Sequence, residues 1–230
     1  MKLARLAPLV LTALSPSLQA HSRPQAGRLP LPAPSGPLSF EPGTKEIGLD
    51  ELLARLAQLT GQELVMTQES RQMLAQIREP LERADPVPRE EVYTFVESVL
   101  ARQGGLIAPV SGGARPILGV HISSDAPHNL PLVPLYVRVD ALPDLAAHPA
   151  LHVRLLLNFE HSDSRQVQTQ IRQLLVDNSG SNQVVPVGDR GLILQGRASE
   201  MASLARLLLD ADEAAGKRPA PLPQVDGKGQ

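Results

Sequence analysis

The chain has 230 residues, with 22 basic and 24 acidic side chains, no cysteine and an aromatic content of only 2%. The lack of cysteine excludes disulfides, thiolate metal sites and thiol catalysis, and the slight acidic excess disfavours nucleic acid as a partner. With so few aromatic residues, aliphatic side chains must form the core, and an aromatic platform for stacking bases or sugars is not expected.

The N-terminus has the features of a secretory signal peptide. Lys2 and Arg5 form a positively charged start, and residues 6–14 form an apolar run too short to span a bilayer. Small and polar residues then lead to Ala20, which suits the last position before a cleavage site. We therefore predict a signal peptide over residues 1–20, with an uncleaved N-terminal anchor as the alternative.

Three segments rich in proline and small or polar residues divide the rest of the chain. Residues 21–37 predict an extended linker, residues 123–134 an interdomain linker, and residues 214–230 a disordered tail. Between them lie a first module over residues 38–122 and a second module over residues 135–213.

The first module is predicted to begin with an edge strand over residues 39–46. Residues 49–59 carry leucines at helical spacing, and Thr60-Gly61 is expected to end that helix before a buried strand over residues 63–67. Two interpretations of residues 68–76 stay open. One is a loop followed by a strand near residues 76–81, and the other is a helical turn through residues 71–75.

A second amphipathic helix follows a proline-rich approach. Pro88 restricts the backbone before the helix, and Glu90 and Glu91 suit the positive end of its dipole. Apolar side chains recur at the helical period over residues 92–100, and Gly104-Gly105 is expected to stop the helix with positive φ angles.

A hairpin is predicted to close the first module, with strands over residues 106–110 and 117–122 joined by a turn over residues 111–114. The tip of this hairpin and one loop of the second module are the predicted protein-interaction sites. Their residues are Ser111, Gly112, Gly113, Arg115, Asn178, Ser179 and Asn182.

The second module is predicted to start with a strand over residues 135–140, a short helix over residues 142–147 and a long strand over residues 151–159. Ser162 or Asp163 can then cap a helix, because their short side chains accept hydrogen bonds from free backbone N–H groups.

The second half of this module is predicted to be a hairpin and a final helix. Strands over residues 183–187 and 191–195 form the hairpin, and Ser199 is expected to cap a helix that ends near Asp212.

The pattern Pro-x-Glu-Glu-x-Tyr-x-Phe, followed by an apolar stripe, a glycine and a hairpin, resembles the first periplasmic N-domain of secretins, especially the type II secretion secretin. The matching positions are Pro88, Glu90, Glu91, Tyr93, Phe95, Val99, Leu100 and Gly104. The run LARLAQLTGQELVM also resembles secretin N-domains and the short N-domain of TonB-dependent receptors. The segment from Gly191 to Gly196, followed by a helix with Leu209-Asp210, resembles the second secretin N-domain, whose fold is KH-like.

This resemblance implies an α+β fold of two small two-layer α/β-sandwich modules. It implies a periplasmic protein, peripheral to the outer membrane, that takes part in type II secretion or a type IV pilus-like machine through protein–protein interaction. The implied partners are a pore-forming secretin, inner-membrane platform components, or copies of the chain in a ring. The C-terminal pore-forming segment of secretins has no counterpart in this sequence. The alternatives are a TonB-receptor-type signalling domain and a periplasmic enzyme or ligand-binding protein.

The residues themselves predict no catalytic or metal chemistry. His148 and His152 are four positions apart, but Pro149 interrupts the helix that would place them on one face. Glu160 to Asp163 combine acid, imidazole and hydroxyl groups, and helix capping is the favoured interpretation over catalysis. We therefore predict a non-enzyme with no catalytic residue, no cofactor and no metal.

Overall fold

The computed structural model describes residue 29 and residues 31–81, 85–111, 116–122, 133–172 and 182–217. The predicted signal peptide and most of the interdomain linker lie outside these residues. The fold is α+β, as predicted. The first module contains β1 (Glu46–Gly48), α1 (Leu49–Thr60), β2 (Leu64–Val65), α2 (Gln68–Gln76), β3 (Arg78–Pro80), a 3₁₀ turn (Arg89–Glu91), α3 (Val92–Arg102), β4 (Gly105–Pro109) and β5 (Leu118–Ile122). The second contains β6 (Leu135–Val137), a 3₁₀ turn (Val139–Ala141), α4 (Leu142–Leu145), β7 (His152–Asn158), α5 (Ser164–Ile171), β8 (Gln183–Val187), β9 (Gly191–Arg197) and α6 (Ala198–Gly216).

The start of the first module differs from the prediction. The expected edge strand over residues 39–46 is wrong, because β1 begins only at Glu46. Pro42 has no N–H to donate to a ladder, and Gly43 adopts a φ of 86°. The predicted buried strand over residues 63–67 shrinks to the two half-buried residues of β2, an edge strand that pairs only with β5.

The helices of the first module follow their local signals. Gly61 ends α1 with a φ of 64°, as expected. The Thr67 side chain caps α2 by accepting a hydrogen bond from the Ser70 N–H, and β3 follows at once. The region from residue 68 to residue 81, for which two interpretations were open, therefore contains both a helix, longer than the predicted turn, and a strand.

The end of α3 is only partly as predicted. Gly104 takes a φ of 76° after the helix, whereas the expectation of positive φ at Gly105 is wrong, because this residue is the first of β4. A Cβ atom there would come within 3 Å of the Leu100 side chain and its carbonyl. Glycine at this position is explained by lack of space.

The second module is built on one four-stranded sheet in the order β6-β7-β9-β8, with only the β6–β7 pair parallel. Helices α5 and α6 pack on one face of it. On that face, the two central strands contribute fully buried aliphatic side chains, as expected from the composition. These side chains are Val153, Leu155, Leu157, Leu192 and Leu194.

Three details of the second module differ from the prediction. The first strand stops at Val137 and gives way to a 3₁₀ turn instead of continuing to Asp140. The last helix starts at Ala198 without a side-chain cap, so Ser199 is not its N-cap. The same helix runs to Gly216, past Asp212, and the first residues of the predicted tail are therefore helical.

The two modules are in direct contact. The N–H of Ile107 in β4 donates to the Ala150 carbonyl at 2.8 Å, and Ile107 forms an isolated parallel bridge with Leu151 just before β7. Buried apolar side chains of both modules belong to one continuous cluster. The module boundaries themselves stay a prediction.

The predicted linker ahead of the first module packs against it where the structure describes it. Residues 31–37, here called the arm, contain no helix or strand. Pro34 is buried, and the Ser35 N–H donates to the Leu59 carbonyl at 2.7 Å. No helix within the described part of the chain is long and apolar enough to cross a bilayer.

Candidate interaction site

The predicted interaction loops lie mostly outside the described residues, which include only Ser111 and Asn182 of the seven proposed positions. The Ser111 hydroxyl accepts a hydrogen bond from the Ile117 N–H at 3.0 Å and so connects the two sides of the hairpin. The Asn182 amide donates to Glu200 at 3.0 Å. Both side chains make internal contacts, and a binding role for these loops stays a prediction.

The face of the four-stranded sheet opposite α5 and α6 is a mixed and partly exposed surface, on which Gln195 is buried. One row across the strands contains Tyr136, Arg154, Gln195 and Gln183, and Arg154 donates to Gln195 from two nitrogens at 2.9 and 2.6 Å. Tyr136 in this row is 63% exposed.

An apolar row lies beside the polar one. It contains Leu156, Ile193 and Val185, which are direct partners across β7, β9 and β8. Val185 and Val187 are each 46% exposed. We name these two rows, together with Val187, the open face of the sheet.

Strand β8 borders the open face but is poorly suited to pairing with a further strand. The Val184 carbonyl already accepts a hydrogen bond from the Gln168 side chain at 2.9 Å. Pro186 has no N–H to donate, a common feature of edge strands that avoid additional pairing. A further strand could therefore form fewer hydrogen bonds with this edge than with an ordinary edge strand.

The junction between the modules contains a buried carboxylate. Glu97 on α3 is only 1% exposed. One of its oxygens lies 2.7 Å from Nδ1 of His148, and the other accepts a hydrogen bond from the Ala150 N–H at 3.1 Å. Both partners belong to the second module.

Tyr93 lies one helical turn before Glu97 and completes this junction. Its ring packs edge-on against His148, with ring centroids 4.9 Å apart, and its hydroxyl donates to the Pro32 carbonyl of the arm at 3.0 Å. Burial raises the pKa of Tyr93 to about 12; a hydrogen bond with Thr60 opposes the shift, and the nearby charge of Glu97 adds to it.

Two further hydrogen bonds cross the junction. The Thr94 hydroxyl donates to the Ala147 carbonyl at 2.9 Å. The Arg197 guanidinium donates to the Ala101 carbonyl at the end of α3, at 3.1 Å. Side chains from both modules therefore take part in the contact.

Within the run from Glu160 to Asp163, Asp163 caps α5, as one of the two predicted capping residues. The Asp163 carboxylate accepts hydrogen bonds from the N–H groups of Arg165 and Gln166 at 2.9 and 3.0 Å. The N–H groups of the preceding three residues point instead to the carboxylate of Asp212 on α6. Among the described residues, no three histidine or acidic side chains are grouped so that they could hold a metal ion.

Sequence reasoning missed Glu97 and the contacts of His148. The available signal was a charged residue inside a buried helix, directly after Val96 of the apolar stripe and four positions after Tyr93. The partner lies 51 positions away along the chain, beyond what local periodicity can predict.

The sequence matches no known protein-family model and no curated protein. The structure resembles a chain of the type II secretion system outer-membrane complex of Klebsiella pneumoniae, which contains PulD, PulS and the HR domain of PulC. The match has a TM-score of 0.53 and 17% identity, and it covers 76% of this chain and 27% of that chain. The protein therefore spans about a quarter of the length of that chain.

Two further matches have much lower TM-scores. The N-terminal domain of the secretin XcpQ from Pseudomonas aeruginosa gives 0.25 at 15% identity, with 76% of this chain and 68% of that chain covered. The GspC–GspD complex of enterotoxigenic Escherichia coli gives 0.28 at 14% identity, with 77% and 98% covered. Of these three matches, the Klebsiella match alone has a TM-score above 0.5, and at 17% identity it establishes a shared α+β fold.

Proposed function

We propose that this chain is a periplasmic component of a protein-secretion machine of the type II or type IV pilus-like class. It acts by binding other subunits and not by catalysis. The observation that carries the proposal is the fold match to a chain of a type II secretion outer-membrane complex, which extends over 76% of this chain. The order of the two modules and the motif around Tyr93, which resemble secretin N-domains, agree with it.

The proposed binding surface is the open face of the four-stranded sheet. It combines exposed Val185, Val187 and Tyr136 with the guanidinium of Arg154, and exposed aliphatic and aromatic side chains beside an arginine are typical of protein interfaces. The partners proposed are a pore-forming secretin, inner-membrane platform components, or further copies of this chain. The loops at residues 111–115 and 178–182 are secondary proposals.

The test is affinity purification of the full chain from the periplasm of its own organism after mild crosslinking. We expect a secretin or an inner-membrane platform subunit among the recovered proteins, and a loss of most of it with Val185→Arg. The matched control is Leu207→Arg, because Leu207 is 56% exposed on α6, away from the sheet. Recovery of the chain without any secretion subunit would contradict the proposal.

The proposed location has a separate test. N-terminal sequencing of the periplasmic protein should show a mature chain that starts at His21, directly after the predicted cleavage site. A chain that retains Met1 and fractionates with membranes would favour the uncleaved anchor.

A TonB-receptor-type signalling domain is the alternative for residues 38–122 alone. It leaves the second module without a role, and co-purification with a TonB-dependent receptor would favour it.

A further inference from the structure

The junction between the modules has more directional bonds than a simple apolar contact needs. Both carboxylate oxygens of Glu97 are engaged, and both partners, His148 and the Ala150 N–H, lie in the second module. We infer that Glu97 acts as an orientation clasp, a positioning residue that holds the two modules at a single relative angle.

The energetics favour orientation over stability as the contribution of this pair. Removing a carboxylate from water is unfavourable, and a buried ion pair often contributes no more to stability than apolar residues of the same volume. Hydrogen bonds from two different groups nevertheless fix the direction of the carboxylate, whereas apolar surfaces can slide over one another. Glu97 is 1% exposed and His148 is 8% exposed, so the pair is shielded from water.

Two of the other hydrogen bonds of the junction meet the second module in a short segment, whereas the bond from Arg197 to the Ala101 carbonyl lies outside it. Thr94 and Ile107 of the first module bind the carbonyls of Ala147 and Ala150. These bonds hold residues 147–151, the connection between α4 and β7, against α3 and β4. Glu97 binds the same segment through His148 and the Ala150 N–H, and so adds two bonds of fixed direction to this contact.

The arm is connected to the clasp through Tyr93. Tyr93 places its ring against His148 and donates its hydroxyl to the Pro32 carbonyl. The arm is itself held by the bond between Ser35 and Leu59. Docking of the arm therefore holds the Tyr93 ring, which packs edge-on against the imidazole of His148.

The lack of cysteine in the sequence allows a direct measurement of the angle. Ala54→Cys on α1 and Ala211→Cys on α6 are exposed positions for a pair of spin labels, and double electron–electron resonance gives the distribution of the distance between them. We expect a narrow distribution in the labelled parent. In Glu97→Leu and in His148→Leu we expect it to broaden about twofold, since the pair that fixes the relative direction of the modules is lost and domains of one chain commonly move relative to one another.

Two variants serve as controls. Glu97→Gln should broaden the distribution less, because the amide oxygen can still accept from the Ala150 N–H. Glu90→Leu replaces an exposed acid just before the same helix and should leave the distribution unchanged. Amide exchange of α1 and β7 verifies in each variant that both modules stay folded.

The double variant Glu97→Leu/His148→Leu separates orientation from stability, and it also serves if a single variant fails to fold. We expect it to unfold at the denaturant concentration of the parent or above, and yet to keep the broad distribution. A distribution as narrow as that of the parent, in the double variant or in a folded Glu97→Leu, would overturn the inference.

Discussion

Two buried carboxylates, each on a mostly apolar helix, are used in different ways. Asp212 on α6 is 6% exposed and accepts hydrogen bonds from the N–H groups of Glu160, His161 and Ser162 at 2.7, 3.0 and 2.7 Å. All its partners belong to its own module. Glu97 on α3 is buried as deeply, but its partners belong to the neighbouring module.

The difference shows what a buried charge can fix. Asp212 holds the loop between β7 and α5 against the last helix, so it determines the shape of one module. Glu97 determines how two modules meet. The free energy of unfolding should therefore depend strongly on Asp212, whereas the angle between the modules should depend on Glu97.

Asp212→Ala should produce the largest effect in this comparison. The substitution leaves three backbone N–H groups without their acceptor, and we expect the free energy of unfolding to fall by about 3 kcal/mol. Urea denaturation at neutral pH measures it. Asp210→Ala, at an exposed position of the same helix, is the matched control and should change stability by less than about 0.5 kcal/mol. Equal losses in the two variants would mean that Asp212 does not anchor the loop.

Acid should weaken the same anchor. Burial opposes ionisation of Asp212, but its hydrogen bonds with Glu160, Ser162 and His161 outweigh this and hold the pKa below its ordinary value of 3.8. A depressed pKa contributes stability that is present above pH 3.8 and is lost as the pH falls through the pKa of the folded state. Asp212→Asn should therefore lose less stability than the parent between pH 5 and pH 2, and identical acid profiles would contradict this role.

Tyr93 should reveal whether Glu97 is charged in the junction. Burial first, and the Glu97 charge in addition, raise the pKa of Tyr93 to about 12 from 10.0. The folded state then holds its phenolic proton longer than the unfolded state, so stability should fall as the pH rises from 10 towards 12.

Absorbance of the tyrosinate ion measures this shift in a Tyr136→Phe background, where Tyr93 is the remaining tyrosine of the two in the chain. We expect a midpoint near 12 and a lower one after Glu97→Gln. A midpoint of 10.0 in the folded protein would exclude the buried environment described for Tyr93.

The secondary structure could be predicted where an element is long enough to carry a period. Strand β7, with seven residues, and the amphipathic α1 with Gly61 after it were both predicted from spacing alone. Strands of two or three residues, such as β1 and β2, show no alternation, and the prediction placed one wrongly and made the other too long. The 3₁₀ turn after β6 was missed for a different reason, because Arg138 and Val139 continue the alternation of the strand.

The junction could not be predicted in this way. Proline and polar residues between the modules indicated a linker, and the sequence carries no local mark of the contact between Ile107 and Leu151. His148 and Glu97 were visible only as a histidine near a proline and an acid within a helix. Their pairing depends on tertiary structure, which a single sequence does not encode in its spacing.

The smallest expected effect compares two threonine hydroxyls that donate over the same distance. Thr94 donates to Ala147 across the junction, and Thr169 donates to Arg165 within its own exposed helix, both at 2.9 Å. Thr94→Val should lower the free energy of unfolding by about 1 kcal/mol, because the half-buried Ala147 carbonyl loses its donor, whereas Thr169→Val should stay within about 0.5 kcal/mol. Urea denaturation of both variants in parallel measures the difference.

If the angle between the modules depends on Glu97 alone, Thr94→Val should also leave the spin-label distance distribution narrow. A broadened distribution would instead mean that several bonds determine the angle between the modules and that Glu97 provides only one part of it.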